Sequence, residues 1–262
     1  MAMFERLQKP FLTVETGEAY QPIRLCYDLH NESKLQAILD SLQCLKPASH
    51  ANTRSWNWFW QAECDELNFD SIDNFKRNPE HPVRFGTVVI KNGRLYINLP
   101  SFKRACLAAP FFKRLIDPAI ADVHHADFIN KVFGLDERLP HGFTELFKED
   151  ELEQIVEQRI HDYHEMKTRC EDAASIEDAF KILQDYTNQE SNKRLPYAER
   201  YSFKAQDITD PDVLFLGFYV FLRGRELVAI RRWFGDANYT LANAAEETMH
   251  KVFGDIDLDI IE

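Results

Sequence analysis

The 262-residue chain carries nine histidines and 43 aspartates and glutamates, so metal ligation is the first chemistry to test. Glu157, His161 and His164 are spaced by four and three, which sets them on one helical face. Glu247 with His250 makes the E-x-x-H step of carboxylate di-iron bundles. Such a bundle needs a second E-x-x-H with Glu, and the sequence has none. An acid three places before a His occurs twice, at Asp122/His125 and Glu247/His250, about as often as chance supplies it. His124, His125 and Asp127 form another cluster, but on a helix adjacent side chains point about 100° apart, and two neighbouring imidazoles do not share an ion. Asp255, Asp257 and Asp259 alternate near the C-terminus without the Gly and Glu of a calcium loop, in the pattern of an acidic edge strand or tail. No metal site and no cofactor is expected.

Covalent catalysis has no linear signature either. There is no G-x-S-x-G elbow, and Cys26, Cys44, Cys64, Cys106 and Cys170 are odd in number, widely spaced and never paired as C-x-x-C. Cys26, Cys44 and Cys106 sit in or beside apolar runs, where a free thiol acts as a small hydrophobe; a reducing, cytoplasmic compartment is the simplest setting. With nine glycines, neither G-x-G-x-x-G nor G-x-x-x-x-G-K-[ST] occurs, which disfavours dinucleotide and P-loop folds. Carboxylates gathered from distant segments would leave no linear trace.

Two groups remain as binding candidates. Arg223, Arg225, Arg231 and Arg232 cluster within an acidic stretch, where the guanidinium fork suits carboxylate or phosphate partners; their structural role would be to pair with nearby acids. Trp56, Trp58 and Trp60 alternate onto one strand face, as an aromatic platform for a ligand or as core.

The elements that must position these residues follow from pattern. Residues 11–14 and 22–29 read as strands around Gly17, and Asn31 caps a helix with Leu35, Ile38, Leu39 and Leu42 inward. Residues 54–64 alternate as a strand, and Asn92-Gly93 joins strands 84–90 and 94–99 in a hairpin. Ser101 caps a helix that Pro110 is expected to interrupt. Residues 120–133 read as a helix, and 144–169 as a long charged one with Leu146, Leu152, Ile155, Ile160 and Tyr163 inward. Ser175 begins another helix with Ile176, Ala179, Phe180 and Leu183 inward. A strand at 201–205, a second hairpin at 213–222 and 226–234 around Gly224, and a helix from 238 to 253 complete the chain. Residues 85–94 match 216–225 without gaps, sharing Gly, Val, Gly and Arg, so an internal duplication is one reading, ordinary α+β the other; Glu5-Arg6-Leu7 against Glu137-Arg138-Leu139 adds to the match.

The expected fold class is α+β, with a mixed or antiparallel sheet, hairpins and a helix-rich C-terminal half, divided at Asp117-Pro118 into residues 1–118 and 119–262. The formal net charge is −12. The first part holds 15 basic and 13 acidic residues, the second 16 and 30, a field that repels a phosphate backbone and argues against nonspecific nucleic-acid binding. No signal peptide is visible. The longest apolar run, residues 213–222, covers about half of a bilayer core, so no membrane association is expected. Two functions fit: a noncatalytic binding or regulatory module for a protein partner or a small anion, with the arginines as the contact, or a hydrolase using dispersed carboxylates and histidines with or without a divalent metal.

Overall fold

Strand alternation builds the molecule. The computed structural model describes residues 10–48, 53–68, 78, 80–140, 142–204, 208 and 210–253. Among them seven strands, β1 (Ile23–Leu29), β2 (Leu45–Pro47), β3 (Arg54–Phe59), β4 (Arg84–Lys91), β5 (Arg94–Leu99), β6 (Ala121–Ile129) and β7 (Ala198–Ser202), form one sheet of order β2-β3-β4-β5-β1-β6-β7. Every pairing is antiparallel, and β6 and β7, which follow Asp117-Pro118, extend the sheet of β1 to β5. The helices are α1 (Glu32–Ser41), α2 (Phe102–Leu115), α3 (Phe143–Leu146), α4 (Glu149–Glu171), α5 (Ile176–Asn192), α6 (Pro211–Trp233) and α7 (Leu241–Phe253). The class is α+β with a helix-rich C-terminal half. No described helix is long and apolar enough to cross a membrane.

One face of the sheet is dry. Ile23 and Leu25 of β1, Leu95 and Ile97 of β5, and Ala126 and Phe128 of β6 meet Leu35 and Leu39 of α1, Phe111 and Phe112 of α2, and Phe218 and Leu222 of α6. Trp58 is the hub of this core: its ring lies 5.0 Å from Phe85, 5.3 Å from Phe111 and 4.9 Å from Phe112, and its Nε1 donates to Cys64 Sγ at 2.9 Å. Those contacts explain why α2 runs through Pro110 instead of breaking there. The lost hydrogen bond costs roughly 3 kcal/mol, and burying two phenylalanines on an indole offsets it.

Two elements differ from expectation for identifiable reasons. Residues 120–133 are not a helix; β6 occupies Ala121–Ile129, and its inward residues Ala121, Val123, Ala126 and Phe128 are spaced two, three and two because of a bulge. That spacing imitates a helix. Residues 213–234 are not a hairpin but lie in the continuous helix α6 and its C-cap. Phe218, Leu222, Arg225, Val228 and Ala229 are buried at helical intervals, while Val213, Leu216, Tyr219 and Val220 face outward, so the run is apolar on nearly every side and shows no period. Its start does carry a signal: the Asp210 side chain accepts from Asp212 N at 2.9 Å, with Pro211 in the first turn. The gapless match of 85–94 with 216–225 therefore sets a hairpin against a helix, and the duplication has no structural counterpart there.

Helix α5 begins at Ser175 as expected, its hydroxyl accepting from Asp178 N at 3.1 Å, but Ile176, Phe180 and Leu183 are exposed rather than inward, as are Ile160 and Tyr163 of α4. These two helices pack on each other and leave their outer faces uncovered. Glu5-Arg6-Leu7 and the acidic alternation at 255–259 lie outside the described residues.

Gly224 tests the helix directly. A Cβ there would meet Leu241 Cδ2 at 3.5 Å, an ordinary contact. Gly224→Ala should stabilise the protein by about 0.5–1 kcal/mol, raising the melting temperature by about 1–4 °C. A turn glycine of positive φ would give a loss instead.

Candidate functional site

The four candidate arginines ride on α6 and its last turn, and the helix points them in different directions. Arg225 is buried and grips Glu199 with two bonds, Nε to Oε2 at 2.9 Å and Nη2 to Oε1 at 3.1 Å. Arg223 pairs with Glu226 one turn on, and Arg231 reaches Glu247 of α7 at 2.7 Å. Three of the four thus neutralise acids of their own half. Arg232 does not. Its Nε donates to the carbonyl oxygen of Tyr239 at 2.9 Å, and its charge meets another cation, Arg194. Burial, and after it the charge of Arg194, push the Arg232 guanidinium down from its ordinary value.

These two arginines line a cleft of about 600 Å³ with Lys131, Tyr197 and Trp233. Neither has a carboxylate partner among the described residues; Lys131 pairs with Glu137. Three segments build the cleft: the end of β6, the stretch leading into β7, and the C-terminal turn of α6. Asn130 holds the first two together, its backbone N donating to Tyr197 O at 2.8 Å and its Nδ2 to Pro196 O at 3.0 Å. Glu199, two residues beyond Tyr197, ties the same stretch to α6 through Arg225 and to α4 through Arg159. Burial would raise the Glu199 carboxyl, but Arg225 and Arg159 outweigh it and hold it below the usual range. The result is a concave site of cations and aromatic rings in the acidic half of the chain.

The second face of the sheet carries a polar row beside an apolar patch in which Ile129 meets Leu146, Phe147 and Leu152, and the layout of the row follows from register. Thr87, Asn98, Arg24, Asp127 and Arg200 are successive partners across β4, β5, β1, β6 and β7 and form one row. Arg200 takes both oxygens of Asp127, Nε to Oδ1 at 2.6 Å and Nη2 to Oδ2 at 3.1 Å, and also reaches Glu149 at 2.9 Å. Arg24 instead donates to Asn98 Oδ1 at 2.8 Å and lies 5.0 Å from the Tyr96 ring centre. Burial would raise the Asp127 carboxyl, but His125 and Arg200 outweigh it.

Beside this row the bulge in β6 reorders the histidines. Cys26 faces His125, while the next residue, Tyr27, faces Val123, so His124 is the extra residue. Its Nδ1 comes within 2.6 Å of His125 Nδ1. The helical reading that separated the two rings is thereby corrected. Cys26 Sγ stands 4.0 Å from Asp127 Oδ2, and all three of Cys26, His125 and Asp127 are 1% exposed. Burial, then Asp127, push the Cys26 thiol up, so it stays protonated and unreactive at neutral pH.

The tryptophan row forms core rather than a platform at two of its three positions. Trp56 and Trp58 are buried, Trp56 Nε1 donating to Asp40 Oδ1 at 2.9 Å, and the half-buried Trp60 stacks on Phe85. Glu157, His161 and His164 lie on α4, and Glu247 is engaged by Arg231 and by the hydroxyl of Tyr239. Sequence reasoning found Arg232 but missed Arg194, Lys131, Tyr197 and Trp233. No local motif joins them. No family model, no curated protein and no solved structure matches the chain.

Removing the charge of Glu199 while keeping its shape strands Arg225. Glu199→Gln should cost about 3–5 kcal/mol by urea unfolding at neutral pH. Because the folded carboxyl titrates below its unfolded value, its contribution is present above about pH 4.3 and is lost as pH falls through the folded pKa. The variant should therefore lose less further stability than the wild type between pH 5 and the acid limit, about pH 2.

Proposed function

We propose that the protein is a noncatalytic binding module for a small organic anion, held in the cleft of Arg194 and Arg232. One observation carries the reading: two guanidinium groups that have no carboxylate partner among the described residues line one cleft, in a half otherwise rich in acid. Like charges in a partly dry cleft repel, and a carboxylate or phosphate between them turns that repulsion into two charge-assisted hydrogen bonds. Tyr197 and Trp233 offer ring surfaces for an apolar or planar part of the same ligand, and the volume lies within the range of small-molecule sites.

The protonated, buried thiol of Cys26 supports a binding role over nucleophilic catalysis. Five free cysteines support a cytoplasmic setting. The contact first expected from all four arginines narrows to Arg232, because acids already occupy the other three.

Calorimetric titration with phenyl phosphate tests the assignment. Arg232→Gln and Arg194→Gln should each weaken binding about tenfold or more, while Arg223→Gln leaves it unchanged. No binding heat at millimolar phenyl phosphate, or equal losses in Arg223→Gln and Arg232→Gln, would overturn the proposal.

A further inference from the structure

We infer that Cys26, His125 and Asp127 form a binding site for a zinc-class divalent transition metal, separate from the arginine cleft and on the opposite, polar face of the sheet. The three side chains offer a cysteine sulfur, an imidazole nitrogen and a carboxylate oxygen, and these atoms all lie within 4.8 Å of one another. Tetrahedral coordination at zinc bond lengths separates such donors by about 3.3–3.6 Å. His125 Nε2 is already 3.5 Å from Asp127 Oδ2, Cys26 Sγ is 4.0 Å from the same oxygen, and all three donor atoms lie within 4.8 Å of one another, so closure asks for side-chain shifts of up to about 1 Å. The backbone already sets the three side by side: Cys26 and His125 are direct partners across β1 and β6, and Asp127 is the next residue on the same face.

The surroundings are those of a ligand set. His124 engages His125 Nδ1, which leaves the buried Nε2 for the ion, and among the described residues that nitrogen has only the 3.5 Å contact with Asp127 Oδ2. Arg200 holds Asp127 Oδ1 at 2.6 Å and so orients the carboxylate with Oδ2 toward the thiol. Charge also balances. A divalent ion is neutralised by one thiolate and one carboxylate, and Arg200 is neutralised by Glu149. On binding, the S–H bond of Cys26 breaks with its electron pair kept by sulfur, which donates it to the metal, and the proton leaves to solvent. With three protein donors, the fourth position is left for water or an exogenous ligand.

Cobalt(II) is the probe, added to chelator-treated, reduced full-length protein. One equivalent should give a thiolate-to-cobalt charge-transfer band that zinc abolishes by displacement, with one proton released. Cys26→Ser should lose the band and Cys106→Ser retain it. Absence of the band in the wild type, or its survival in Cys26→Ser, overturns the site. Should Cys26→Ser fail to fold, X-ray absorption of zinc-loaded wild type decides alone: one sulfur neighbour with nitrogen and oxygen supports the site, and a shell without sulfur rejects it.

Discussion

The carboxylate of Glu199 is the interaction on which the layout of the C-terminal half depends. It sits fully buried on the edge strand β7 and faces α6, where Arg225 binds both of its oxygens; Arg159 of α4 and Asn130 at the end of β6 complete its shell. A buried ion of this kind is stable only while its partners are in place. It therefore fixes α4, α6 and the stretch before β7 relative to one another. It also consumes two arginines, leaving Arg194 and Arg232 to face each other across the cleft. The proposed anion site is a by-product of where that one acid spends its charge.

The sheet imposes a second constraint. Antiparallel register sends alternate residues of β1 to opposite faces, so Ile23, Leu25 and Tyr27 enter the core while Arg24 and Cys26 point to the second face. A bulge of one residue in β6 then sets His124 and His125 side by side, where regular alternation would separate them. Chemistry-bearing residues become neighbours here through pairing, with no sequence motif to announce them.

What was legible in the sequence was local. Asn92 and Gly93 have positive φ, as the hairpin requires, and Asn31, Ser101 and Ser175 each accept from the amide three residues on. The reading failed where a longer-range term decides. Helix α6 hid because it is apolar on most sides, buried against Tyr201 and Phe203 on one and left open on another, although Asp210-Pro211 marked its start. Strand β6 hid because its bulge turned a period of two into a helical spacing. The arginine cluster was visible as composition, but which of its members lack an acid depends on Glu199, Glu226 and Glu247, and only folding tells.

A crystal structure of the protein grown with phenyl phosphate would show whether an anion sits between Arg194 and Arg232, which have no carboxylate partner among the described residues. Phosphoryl oxygens should lie within hydrogen-bond distance of Arg194 and Arg232, with the phenyl ring against Tyr197 or Trp233. A phosphoryl group seated elsewhere on the molecule, or an empty cleft at a saturating concentration, would contradict the proposed site.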